Sequence, residues 1–184
     1  MDNEVKNLIA FIPVSRKDYG MNLYNLYQNG DEKMFFRTMP RELTFEQFSN
    51  VFDSKIGVFM AVLYKEDLVG FITISALDTV AASCHFGIYL YPKYRDKWIN
   101  KKHKLAFLLM YRVGEILFDE FGLNRMACHI IDDKQDLCDS LTKGGFRCEG
   151  WLEQSCKIDD EYKNEFTFAL LKKDWERLYK SCRF

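Results

Sequence analysis

The sequence predicts an α/β (α+β) domain in which helices pack on a mixed, mostly antiparallel sheet. Three observations predict it. Two pairs of β-rich runs are joined by short polar connectors, Lys65-Glu66-Asp67 and Asp159-Asp160-Glu161, the pattern of antiparallel hairpins. A run of alternating apolar and polar residues, Cys84 to Tyr91, stops at Pro92 and is followed by a long helical pattern and then by the apolar run Arg125 to Ile131. A strand reached through such a crossover helix lies parallel to the strand before it. Finally, 184 residues at 48% hydrophobic content, with no internal repeat and no linker, make a single domain (1–184) large enough to bury a substantial core.

Taken in order, Leu8 to Val14 is a short apolar strand, and Ser15 suits the N-cap of a helix running to about Gln28. Asn29-Gly30 closes that helix, and Asp31 to Glu42, with Pro40 and no clean period, reads as loop. Thr44 caps a short helix that has Phe45, Phe48, Val51 and Phe52 on one side. Gly57 to Tyr64 and Leu68 to Leu77 form the first hairpin, and Asp78-Thr79 turns into the strand that ends at Pro92. The long helix spans about Lys102 to Phe121: Leu105, Leu109, Val113 and Ile116 trace its spacing, and Leu108, Leu117 and Phe121 widen the apolar stripe. Gly122 terminates it, because glycine takes the left-handed conformation without a side-chain clash. After Arg125 to Ile131 comes a helix from about Asp133 to Lys143, stopped by Gly144-Gly145. Phe146 to Ile158 and Glu165 to Leu171 form the last hairpin, and Trp175 lies in a closing helix.

Charge and cysteine usage narrow the function classes. A net charge of −1 gives no global attraction to nucleic acid or to an acidic membrane. No apolar run reaches the ~18 residues of a membrane span. The start, MDNEVKNLIAF, lacks the basic segment and cleavage site of a secretory signal, so a cytoplasmic location is expected. Cys84, Cys128, Cys138, Cys148, Cys156 and Cys182 are scattered without C-x-x-C spacing, and His85, His103 and His129 add no paired ligand spacing, so no metal site is expected.

The stretch from Ser83 to Arg112 carries the functional signal. It runs strand, basic turn, helix start, an arrangement suited to phosphate because first-turn N–H groups and the helix dipole both favour an anion. Lys93, Arg95, Lys97, Lys101, Lys102 and Lys104 outnumber the lone Asp96 there. The last three stand where the dipole disfavours cations, which fits either side chains reaching into water or an anion among them.

Four local patterns, in order, resemble the GNAT acetyltransferase superfamily, and within it the branch that acetylates N-terminal α-amines of ribosomal proteins. HFGIYLYP at His85–Pro92 is similar to the family's fourth strand, and FGLNRMACHI at Phe121–Ile130 to its helix-to-fifth-strand junction. LTKGGFRCEGWL at Leu141–Leu152 resembles the L-x-K-x-G-F-x-x-E-G motif, and EYKNEFTFALLKKDW at Glu161–Trp175 the final strand with its Trp-terminated tail. The resemblance implies a sheet splayed between the fourth and fifth strands, with acetyl-CoA as co-substrate in the cleft and its pyrophosphate over the turn that starts the long helix. It also implies direct acyl transfer to an amine, either a small molecule or a protein N-terminus. Neither nucleic acid nor membrane is an expected partner, and a homodimer is left open.

The chain departs from the family in its cofactor turn, Arg/Gln-x-x-Gly-x-Gly/Ala. Counted from Pro92, Arg95 to Asn100 put large or polar residues where glycines stand. Counted back from Gly122, Ala106 takes the small position and Lys102 and Lys104 replace glycines. The expected cofactor contacts are therefore Leu90, Tyr91, Arg95, Lys97, Lys101, Lys102, Lys104 and Ala106. His85 falls on the fourth-strand position favoured for a general base, and imidazole titrates near neutrality. Tyr89 and Tyr91 share its strand face. Ser140 is the candidate donor near the sulfur. Two readings stand: an acyl-CoA-dependent N-acyltransferase whose lysines replace the glycine turn, or a catalytically silent protein of this fold acting as a binding or structural component.

Overall fold

The computed structural model describes residues 8–29, 39, 42–53, 57–94 and 104–181. Seven strands form one sheet: β1 (Ile9–Pro13), β2 (Gly57–Tyr64), β3 (Asp67–Asp78), β4 (Ser83–Leu90), β5 (Arg125–Ile131), β6 (Arg147–Ile158) and β7 (Glu161–Leu171), ordered β1-β2-β3-β4-β5-β7-β6. Every neighbouring pair is antiparallel except β4–β5, the pair joined by the crossover helix. Local chemistry accounts for the hairpins. Lys65 and Glu66 (φ 50° and 72°) and Asp159 and Asp160 (φ 50° and 66°) are two-residue turns with both residues left-handed, whose twist matches that of the flanking strands. Asp78 Oδ1 accepts the N–H groups of Val80 and Ala81 at 2.9 and 2.8 Å, which bends the chain from β3 into β4.

The helices are α1 (Gly20–Asn29), α2 (Phe45–Asp53), α3 (Lys104–Gly114, continuing as a wider coil over Glu115–Glu120), α4 (Gln135–Lys143) and α5 (Lys172–Trp175, continuing over Glu176–Lys180). Thr44 caps α2 reciprocally: its hydroxyl accepts Gln47 N–H at 3.2 Å, and Gln47 Oε1 accepts Thr44 N–H at 2.9 Å. Ser15 does something different from the expected helix cap. Its hydroxyl accepts Asp18 N–H at 3.0 Å and donates to Asp18 Oδ2 at 2.9 Å, so it holds a separate turn over 16–18, and the helix begins only at Gly20. A short polar side chain that bonds its own neighbours favours turns as readily as caps. The helix expected from Asp133 likewise starts later, at Gln135, and the last strand starts earlier, at Glu161, because its polar first residues extend the hairpin. The loop expected over 31–42 lies almost wholly outside the described residues.

Each sheet face has its own core. On one face α3 and α5 pack through Leu109, Val113, Leu117 and Trp175 on β-strand residues such as Phe86 and Met126. On the other, α1 and α2 supply Leu23, Leu26 and Phe48 against Ala61, Phe71 and Tyr89. Gly114 is required where α3 meets the C-terminal tail. A Cβ there would sit 2.0 Å from Trp175 Nε1, and the indole N–H instead reaches the Met110 carbonyl at 3.2 Å. The helix leaves through a widened last turn, Phe121 N–H on the Ile116 carbonyl at 2.9 Å, and Gly122 at φ 68° reverses the chain.

Candidate active site

The parallel ladder between β4 and β5 is short. It pairs Ser83 with Arg125, Cys84 with Met126 and His85 with Ala127, and ends there, while β4 continues to Leu90 and β5 to Ile131. The two strands therefore part at His85. Tyr91 N–H bonds the Val69 carbonyl at 3.0 Å, so odd-numbered residues of this strand turn their backbone groups toward β3. Even-numbered residues then turn theirs toward β5, and beyond His85 these are Phe86, Ile88 and Leu90. A strand edge of this kind can pair with an extended polar ligand. Leu90, one of the expected cofactor contacts, lies on this edge. Tyr91 has its N–H engaged by β3 and its carbonyl by the N–H of Tyr94 at 2.8 Å, so its side chain is what remains for a ligand.

His85 stands at the fork, half-buried, on the face that β4 shares with Tyr89 and Tyr91. Tyr89 is buried and packs edge-on to Tyr91, with ring centroids 5.4 Å apart. Tyr91 also meets Phe71 edge-on at 6.3 Å, and burial pushes its phenol pKa up. The two tyrosines thus form an aromatic wall above His85. On the β5 side the structure adds a residue that the sequence reading left without a role in the site. His129 lies on the same face, its ring centroid 5.0 Å from that of His85, and its Nδ1 is 3.2 Å from Thr167 Oγ1 on β7. The parallel β4–β5 pairing was predictable, but its register was not, and register decides which side chains become neighbours.

The remaining candidates divide. Arg95, Lys97, Lys101 and Lys102 lie outside the described residues. The backbones of Lys104 and Ala106 belong to α3, at the first described residues after the basic segment. Lys93, at the beginning of the basic segment, holds its ammonium 4.6 Å over the Tyr94 ring. Ser140 is exposed on α4, and its hydroxyl donates to the Asp136 carbonyl at 2.8 Å, one turn back. The structure thus ties it to its own helix.

Around the site, Arg125 of β5 grips Glu149 of β6 with both guanidinium nitrogens, one contact at 2.7 Å. The bond from Arg125 is the main reason that the Glu149 carboxyl titrates below its ordinary value. These are the Asn-Arg and Glu-Gly positions of the sequence motifs, and here they fasten β6 to β5 across β7. Glu165 of β7 is 1% exposed and accepts the Ser155 hydroxyl at 2.6 Å. Cys84 and Cys128 are buried in the sheet, and desolvation pushes their thiols up to about 11 and about 12. Both are filler and not nucleophiles. A shallow depression lined by Leu8, Ala10, Ile12, Leu63, Lys65 and Glu66 lies far from this, at the β1 edge of the sheet.

A mixed seven-stranded sheet whose only parallel pair splays apart beside a crossover helix is the GNAT fold. Solved structures of that fold confirm it. A spermidine N-acetyltransferase from Vibrio cholerae in complex with CoA and spermine superposes with a TM-score of 0.77 at 15% identity, covering 92% of this chain and 98% of that one. A point mutant of the Vibrio cholerae enzyme gives 0.78 at 16% identity over 96% and 99% of the two chains. Its dodecameric form in an intermediate state gives 0.74 at 16% identity, over the same 96% and 99%. These neighbours are polyamine acetyltransferases and lend no support to the ribosomal-protein branch. No family model and no curated protein sequence matches the chain.

Proposed function

We propose that this protein is an N-acyltransferase that moves the acetyl group of acetyl-CoA to the amine of a small molecule. The observation that carries the proposal is the fork between β4 and β5, with His85 at its apex. The fold neighbours act on spermidine, and one binds CoA in its crystal, which favours a polyamine-like acceptor over a protein N-terminus. The co-substrate would supply an activated thioester. The backbone groups of Phe86, Ile88 and Leu90 suit the polar chain of such a molecule, and the first turn of α3 suits its phosphates. The lysines of the connecting segment replace glycine backbone as the expected phosphate contacts and act as point charges.

His85 does the proton work in this reading. An amine is cationic at neutral pH and attacks only after losing a proton, which the neutral imidazole accepts. As the carbon–nitrogen bond forms and the carbon–sulfur bond breaks, the electron pair leaves with sulfur. The second amine proton passes to the departing thiolate to give CoA thiol and a neutral amide, and the first proton stays on His85 until it is released to water. Tyr89 and Tyr91 shield that side from water. The buried free thiols of Cys84, Cys128 and Cys138 suit a reducing compartment, in keeping with a cytoplasmic location.

Turnover tests this directly. Incubation with acetyl-CoA and a panel of amines that includes spermidine, spermine and an N-terminal peptide, read by mass spectrometry, is expected to give an acetylated polyamine. Replacing His85 with Gln is expected to slow transfer by ~10²–10⁴, the usual worth of a general base. No product from any amine, together with no binding of acetyl-CoA, would establish the silent reading instead.

A further inference from the structure

We propose that Cys138 and Cys148 are a redox pair: a low-molecular-weight disulfide oxidises them to an intramolecular disulfide that ties α4 to β6. The pair operates independently of the acyltransferase reading. The register of the sheet brings the thiols together. Cys128 of β5 and Cys148 of β6 both stand opposite Phe168 of β7, one on each side. Residues directly opposite in a ladder turn their side chains to the same face. The two thiols therefore flank Phe168 on the face that carries the α3 and α5 core. α4 packs on this face too, and Cys138 is its buried residue.

The link between α4 and β6 sets Cys138 and Cys148 at one height. α4 ends at Lys143, Gly144-Gly145 turn the chain, and β6 starts at Arg147. Cys138 stands six residues before Gly144, about 9 Å along a helix, and Cys148 three residues after Gly145, about 10 Å along a strand. The thiols also act on one another. Burial first and Cys148 next push the Cys138 thiol up, and burial first and Cys138 next push that of Cys128 up to about 12. Cys138 thus lies within electrostatic reach of both others. Access separates them: β6 ends the strand order and Cys148 is exposed on it, whereas Cys138 and Cys128 are buried.

Access fixes the order of events. The Cys148 thiolate attacks one sulfur of the small disulfide, a new sulfur–sulfur bond forms, the old one breaks, and a small thiolate leaves and takes a proton from water. Loading Cys148 removes its charge from beside Cys138, one of the causes holding that thiol up. Cys138 then gives its proton to water and attacks the Cys148 sulfur, expelling the second small thiol. Two cysteine thiols are oxidised and one small disulfide is reduced to two thiols. The bond needs Cα atoms within about 7 Å, which a helix seated on a strand through side chains as small as cysteine can meet. Cys128 does not compete for Cys148, because it lies two strand spacings away, about 9–10 Å, with Phe168 between them.

Oxidised glutathione is the probe. Incubation of the full chain at mildly alkaline pH, followed by peptide mapping without reduction, is expected to give peptides linked through Cys138 and Cys148, released again by dithiothreitol. In Cys138→Ala the reaction should stop at glutathione held on Cys148, accumulating at least about fivefold over the parent because the neighbouring thiol that expels it is gone. Cys148→Ser should form no link to Cys138. The bridged chain should melt higher than the reduced one, by on the order of 5 °C, since the bond closes a short loop. Glutathione held on Cys148 to the same extent in the parent and in Cys138→Ala would overturn the pair, as would a link from Cys148 to any other cysteine. An unchanged or lower Tm in the bridged chain would overturn the tie between α4 and β6.

Discussion

Replacing Gly114 with Ala should destabilise the protein, and the direction of the change is informative. Gly114 lies inside α3, where alanine ordinarily gains about 1 kcal/mol over glycine through helix propensity. Here, however, the added Cβ would fall 2.0 Å from Nε1 and 2.1 Å from Cε2 of Trp175, a side chain with no exposed surface. Such overpacking costs about 1–3 kcal/mol. Moving the indole also endangers its hydrogen bond to the Met110 carbonyl, worth about 1 kcal/mol. The net is a loss of about 2 kcal/mol, which for a chain of this size lowers Tm by about 4–8 °C. Thermal unfolding followed by circular dichroism measures it. In a Trp175→Leu background the same Gly114→Ala change should become neutral or stabilising, since the atoms it strikes are gone. A higher Tm for Gly114→Ala alone would refute the argument that the tail locks α3 through this contact.

Two further outcomes follow from the titrating groups. With their thiols pushed up to about 11 and about 12, Cys84 and Cys128 should resist alkylation at pH 8 in the folded protein, whereas exposed Cys148 reacts; peptide mapping by mass spectrometry distinguishes them. Glu149 titrates below its ordinary value in the folded state, so its pairing with Arg125 stabilises the protein above the unfolded carboxyl pKa and loses that contribution as pH falls through the folded one. Glu149→Gln should therefore lower Tm slightly at pH 7, by the equivalent of under about 1 kcal/mol because the pair is solvent-screened. The difference should shrink toward zero below pH ~4, as seen in melts across a pH series.

Much of the framework was legible from short-range patterns. Lys65-Glu66 and Asp159-Asp160 mark their hairpins because a two-residue turn needs polar residues tolerant of positive φ, and Thr44 with Gln47 announces a capping box. The span from Pro92 to Arg125 required a crossover, and β4–β5 is the one parallel pair among the described strands. What stayed hidden depends on contacts between distant segments. His129 reads as one more residue of an apolar strand until the register sets it beside His85, 44 positions away in the chain. Ser15 carries the same local signal whether it caps a helix or a turn, and packing chose the turn. Gly114 looks like a flaw in a helix until Trp175 arrives from the C-terminal tail. Ser140, the candidate donor by its place in the motif order, lies on a helix and bonds the carbonyl one turn back, a contact that a serine at that spacing makes on local grounds alone.

The proposal that the fork between β4 and β5 receives acetyl-CoA is tested most directly by calorimetric titration of acetyl-CoA into the intact protein, at low and at moderate salt. Binding should be measurable and should weaken as salt rises, because the screening length shrinks to about 8–10 Å at ordinary ionic strength. The joint exchange of Lys101, Lys102 and Lys104 for Gln should weaken it again while leaving thermal stability unchanged or slightly higher, since cations at a helix start oppose the dipole. Absence of any heat at millimolar acetyl-CoA would contradict the account, and tight binding indifferent to both salt and the triple exchange would place the phosphates elsewhere.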